Sequence, residues 1–258
     1  MKFSTPFGLF IALSYRISSV SPFAPPSHRL KTRLPALQTS APPVEVEDAV
    51  VVGEEDPMFL DVETMLAARP EGALSQSEMI QIVKNALLAS GGIGLPEAML
   101  TPDFSFEGPV VGPFSKTEFL DAIERVDFKG GFSEFKNEFY GFHVDPLEGD
   151  RVWYTARGRG INDGPFPTAE LPATNKEVVN PPQVCSMTID HATGRIKRYT
   201  IGYVVDRQVG NTGGLGGLYG IMYAIGRPLP FPEALPWRPS LPYQAFRTIG
   251  GFFGKLGL

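Results

Sequence analysis

The hydrophobic period of this chain changes from about 3.6 to two near residue 132, which limits the fold to helices followed by antiparallel strands. Two Ser-x-x-Glu boxes open helices in the first part. In Ser75-Gln76-Ser77-Glu78 the serine oxygen accepts the Glu78 amide, and the glutamate reaches back to the cap. Met79, Ile82, Val83, Ala86 and Leu87 then recur at three- and four-residue steps, and Gly91-Gly92 stops the helix. Pro96 starts a short helix through Leu100, and Phe104 and Phe106 follow on an edge strand. After a Gly/Pro turn, Ser115-Lys116-Thr117-Glu118 opens a helix that buries Phe119, Leu120 and Ile123.

From Phe132 onward the apolar residues alternate. Phe139–Val144 and Val152–Ala156 flank the turn-rich Asp145–Asp150 segment. Pairing Val144 with Val152 places Tyr140, Phe142, Val144, Val152, Tyr154 and Ala156 on one face. A second hairpin pairs Gln183–Asp190 with Ile196–Asp206 and puts Cys185 and Met187 on a face with Tyr199, Ile201 and Tyr203. The expectation is one α+β domain over residues 75–209, its sheet curling over its helices. The uncharged, Gly-rich run 209–226 lacks the Lys-Ser/Thr of a phosphate loop and the dinucleotide fingerprint. It reads as a loop with a short helix, Leu218–Ile225, covering the open end of that sheet. The prolines of 226–242 exclude a regular helix there. Beyond them Phe246, Ile249, Phe252 and Phe253 return at helical spacing, so 210–258 is read as a Gly/Pro-rich tail.

Between about Ile80 and Asp206 the chain resembles the nuclear transport factor 2-like superfamily, in its SnoaL-like polyketide-cyclase branch. The capped helices carry the resemblance, with the stretches Phe104-Ser105-Phe106-Glu107-Gly108-Pro109-Val110-Val111-Gly112-Pro113-Phe114-Ser115-Lys116 and Arg157-Gly158-Arg159-Gly160-Ile161-Asn162-Asp163-Gly164-Pro165-Phe166. It implies a nuclear transport factor 2-like cone, with helices packed in a curved antiparallel sheet around an apolar pocket. Enzymes of this kind use a pocket carboxylate or histidine. Ile161-Asn162 stands where related sequences carry a Thr-His pair, which removes an imidazole from that place.

The first 44 residues contain no acid. The apolar run Phe7–Leu13 is too short to span a bilayer, and a basic Ser/Pro-rich segment follows it. Ser21-Pro22-Phe23-Ala24-Pro25 resembles the junction of the bipartite plastid presequences of algae with secondary red plastids. Residues 1–40 are therefore read as a targeting presequence directing the chain to the plastid, with an ordinary secretory signal as the alternative. Residues 41–74 form an acidic linker with a short helix near Asp61–Ala68.

A net charge of −5 argues against phosphate-mediated nucleic-acid binding. One cysteine and three scattered histidines exclude a disulfide and leave little for a metal, and no cofactor is expected. The candidate acid/base groups are Asp163, where a strand ends, and Asp206, where the last strand leaves the sheet. Tyr154, Arg157, Tyr203 and His143 are the candidate pocket residues. Each has a plainer role: a turn carboxylate, an exposed imidazole, solvated charges or core aromatics. The function read from these features is a SnoaL-like domain protein of the plastid that binds a small apolar metabolite. The alternatives are an isomerase, cyclase or dehydratase using one carboxylate, and a scaffold docking through its tail. The partners admitted are the apolar ligand, a membrane or protein surface met by the tail, and a second copy of the chain.

Overall fold

The computed structural model describes residues 58–256; the segment read as a presequence and the first part of the expected acidic linker lie outside them. The chain forms helices α1 (Val62–Ala67) and α2 (Gln76–Ser90), then strands β1 (Leu100–Glu107) and β2 (Phe114–Ser115). Helices α3 (Lys116–Glu124) and α4 (Phe128–Gly131) come next. Five strands follow: β3 (Phe135–Val144), β4 (Arg151–Ile161), β5 (Glu177–Val179), β6 (Gln183–Asp190) and β7 (Arg195–Val204). Helices α5 (Gly217–Ala224) and α6 (Leu241–Leu256) end it. The order β2-β1-β7-β6-β4-β3, with β5 on β4, makes one unclosed, curved sheet over the helices. This is the expected α+β class.

Both capping boxes are present: Ser75 and Ser115 accept from the amides of Glu78 and Glu118, whose carboxylates accept from the cap amides. Helix α2 buries Met79, Val83, Ala86 and Leu87 against the sheet. The α3 ring of Phe119 lies 5.2 Å from Phe104 and 4.9 Å from Phe106, joining that helix to β1. In the linker, Asp61 caps α1, and Arg69 donates to the carbonyls of Leu74 and Gly149.

Two glycine bulges bend the sheet. Val144 pairs with Val152 as predicted, but Tyr140 pairs with Thr155 and Phe139 with Ala156. Gly141 and Phe142 therefore share the place opposite Tyr154. Gly141 sits at φ +69°, where a Cβ is disfavoured. The extra residue turns Phe139 and Phe142 onto Tyr154, at 5.9 and 5.3 Å between ring centres. It also rotates Tyr140 out, 47% exposed, correcting the predicted core face. The second hairpin repeats the device. Val184 pairs with Tyr203 and Ser186 with Thr200, so Ile201 and Gly202 share the place opposite Cys185. Gly202 has φ +87°, and Tyr203 is turned outward, 42% exposed, against the expectation that it shares the inner face.

The stretch after residue 209 is divided. Thr212 is buried, and α5 joins a second core with Phe132, Phe166, Val178, Leu229 and Ala234. A Cβ on Gly216 would stand 2.0 Å from the Gly202 carbonyl oxygen, so the start of α5 rests directly on the β7 bulge. Gly217 donates its amide to Gln183 Oε1 at 2.8 Å. Phe231 packs on Tyr219, whereas Trp237 is 61% exposed. Among the described residues no helix is long and apolar enough to cross a membrane.

Candidate functional site: an apolar cavity with two buried tyrosines

The concave face of the sheet, α3 and the Gly-rich segment enclose a cavity of about 580 Å³. Phe106, Phe119, Phe139 and Ile201 make its inner walls. Val110 and Val111 form one lip, and residues 214–219 form the other. The bulges make the hollow by curving β3 and β7, and the Gly-rich segment roofs it because glycine lets its backbone touch the strand beneath.

Polar groups are few within it. Tyr154 and Tyr199 are both buried, with their hydroxyls 3.5 Å apart, and Cys185 shares that part of the wall. Burial raises the Tyr154 phenol well above its ordinary range, helped by the neighbouring Tyr199 and Cys185. Burial likewise raises Tyr199, and it pushes the Cys185 thiol up to about 12. The cause is desolvation, which penalises each anion. All three groups therefore keep their protons at neutral pH, so they offer hydrogen-bond donors and no nucleophile. Asn137, Asn180 and Gln183 add amides to the wall, with those of Asn137 and Gln183 donating to Gly91 O and accepting from Gly217 N. Among the described residues no histidine lines the cavity, and its single carboxylate, Glu233, is exposed to solvent.

Of the candidates from sequence, Tyr154, Arg157 and Tyr203 border the cavity. Only Tyr154 is buried among these three; Arg157 Nε donates to the Tyr140 hydroxyl at 3.2 Å, and Tyr203 stands at the rim. His143 is outside, exposed, with Nδ1 donating to the Gly141 carbonyl at 2.9 Å. Asp163 is also outside the wall. Its carboxylate accepts from the amide and hydroxyl of Ser133, and these bonds hold it below the usual carboxylate range. Asp206 accepts from the Gln208 amide at 2.9 Å in an exposed turn and does not reach the cavity. Neither carboxylate stands where it can exchange a proton with a molecule inside.

Asn162 is the neighbour that matters structurally. It is fully buried and uses its whole amide: Nδ2 donates to Gly131 O and Gly164 O, and Oδ1 accepts from Thr174 N and Oγ1. It clamps the β4 exit to α4 and to the loop before β5. Tyr199 was missed as a site residue, although the predicted face shared with Cys185 contains it. The roof at 214–219 carried no chemical signal beyond its glycines. Among the described residues, no group of three or more His, Cys, Asp or Glu side chains is placed to hold a metal ion.

Fold and site together define an α+β cup holding an apolar cavity with buried neutral donors. No family model matches the chain, and no curated protein matches it. Solved structures are similar to it. A SnoaL-like protein from Jannaschia sp. CCS1 is 18% identical over 62% of this chain and 97% of its own, with a TM-score of 0.42. AclR from Streptomyces galilaeus is 14% identical over 71% and 98%, also at 0.42. An NTF2-like protein from Anabaena variabilis ATCC 29413 is 14% identical over 50% and 91%, at 0.37.

Proposed function

We propose that the chain binds one small, largely apolar molecule in this cavity and holds a neutral oxygen of that molecule against Tyr154 and Tyr199. We place this activity in the plastid, on the acid-poor presequence pattern. The observation that carries the reading is the buried pair of protonated phenols in an otherwise apolar wall. Two O–H donors suit a carbonyl, ether or hydroxyl oxygen. An acceptor between them replaces a long contact of 3.5 Å by shorter hydrogen bonds. The volume suits a molecule of roughly 20 non-hydrogen atoms, in the range of small-molecule sites. Donors of this kind would also polarise a carbonyl, but proton transfer requires a base within reach, and the buried wall supplies none.

The test uses N-phenyl-1-naphthylamine, whose fluorescence rises on entering an apolar site. Saturable binding at one equivalent is expected, with competition by β-ionone, an isoprenoid ketone. Val111→Trp, which fills the cavity from its lip, is expected to abolish both. Unsaturable binding, or binding unchanged in Val111→Trp, overturns the proposal. Plastid import of a full-length fluorescent fusion tests the location, and a cytosolic signal refutes it.

A further inference from the structure

Helix α6 is the part of the structure that neither core nor cavity uses. Every residue from Leu241 to Ile249 is exposed. Leu241 is 80%, Phe246 71% and Ile249 55% accessible, so this apolar side is not covered by the chain's own cup. At about 100° per residue, Leu241, Ala245, Phe246 and Ile249 fall with positions 252, 253 and 256 inside an arc of about 140°. All seven are Leu, Ala, Phe or Ile, and the only other residue in the arc is Pro242, in the first turn. The opposite side takes Tyr243, Gln244, Arg247, Thr248, Lys255 and three glycines.

Charge is segregated too. From Ala234 to Leu258 there are three basic residues, Arg238, Arg247 and Lys255, and no acid. Against the total of −5, the remainder of the chain therefore carries −5 − 3 = −8. We propose that α6 is an interfacial helix that lays its apolar side into an anionic bilayer surface. A wide apolar face opposite a more polar, weakly basic one is the pattern that sinks partway into the headgroup region. The arc is broader than the a/d seam by which a helix pairs with one other helix. The basic tail is drawn to anionic lipid while the acidic body is repelled, so the helix faces the membrane and the cup faces water. Arg207 lies 5.3 Å from the centre of the Trp237 ring, which meets Tyr243 at 5.7 Å, so the helix leaves the body beside the end of β7.

Flotation of the full chain with vesicles of phosphatidylcholine containing about 30 mol % phosphatidylglycerol decides the matter. The chain should rise with the lipid, and partition should fall roughly 100-fold in F246E/I249E. Because Phe246 and Ile249 are exposed, that variant should keep the parent's melting temperature. R247Q/K255Q should bind the anionic vesicles about as weakly as the parent binds pure phosphatidylcholine. Equal flotation of the parent and F246E/I249E overturns the proposal, as does a parent that stays in the soluble fraction. A dimer in gel filtration that F246E/I249E dissociates, without lipid binding by the parent, assigns the face to a second copy instead.

Discussion

Replacing Asn162 by alanine removes four side-chain hydrogen bonds at once, and the structure says what each was holding. Nδ2 donates at 2.9 Å to Gly131 O and at 2.8 Å to Gly164 O. Oδ1 accepts at 2.9 Å from both the amide and the hydroxyl of Thr174. A net worth of about 1 kcal/mol each gives roughly 4 kcal/mol, and partners left buried without water raise it, so about 3–5 kcal/mol is expected. For a chain of this size that lowers the melting temperature by roughly 6–20 °C. Thermal melting followed by far-ultraviolet circular dichroism measures it, with Thr174→Val as a control expected to cost only about 1 kcal/mol. Asn162→Asp sharpens the test. Its carboxylate would face the carbonyls of Gly131 and Gly164 inside the protein, raising its folded pKa above the unfolded value of about 3.9. A raised carboxylate pKa penalises the fold at high pH, so this variant should regain stability as the pH falls toward that value. A loss below about 1 kcal/mol in Asn162→Ala would refute the clamp.

Tyr154→Ala should cost about 3–5 kcal/mol, whereas Tyr203→Ala, at a half-exposed rim position, should cost less than about 1 kcal/mol by urea denaturation. Equal losses would mean that the β7 bulge does not turn Tyr203 outward. Asp163 has a folded pKa below its unfolded value because Ser133 donates to it. Its contribution is therefore present above about pH 3.9 and lost as the pH falls through the lower folded value. Ser133→Ala should accordingly shrink the stability difference between about pH 6 and about pH 3, and an unchanged difference counts against that role.

Periodicity carried the architecture because capping and alternation are local. Both Ser-x-x-Glu boxes and the Val144–Val152 pair are where the residues place them. Parity was lost at Gly141 and Gly202, since a glycine inside an alternating run is equally compatible with a plain strand and with a bulge. That ambiguity sent Tyr140 and Tyr203 to the wrong face. The candidate carboxylates failed differently. Asp163 and Asp206 sit at strand ends as expected, but residue type and position do not reveal that Ser133 and Gln208 already engage them. Tyr199 was legible as a core residue and not as a cavity residue. Its standing depends on where the backbone of residues 214–217 crosses β7, a long-range fit with no local signature.

The two bulges make the hollow depend on counting. A strand has two sides, and each surplus residue exchanges them for everything beyond it. Deleting Gly141 would leave every other side chain of β3 intact. It would also leave Phe139 inward and Tyr140 outward, but it would remove the bulge and with it the local bend, toward a straighter wall with less room behind it. Substitutions among the lining side chains alter what the space accepts, whereas the loss of one codon would remove the space itself. Recognition can therefore drift by exchange of Ile201, Val111 or Phe139, while the length of these two strands is held by geometry.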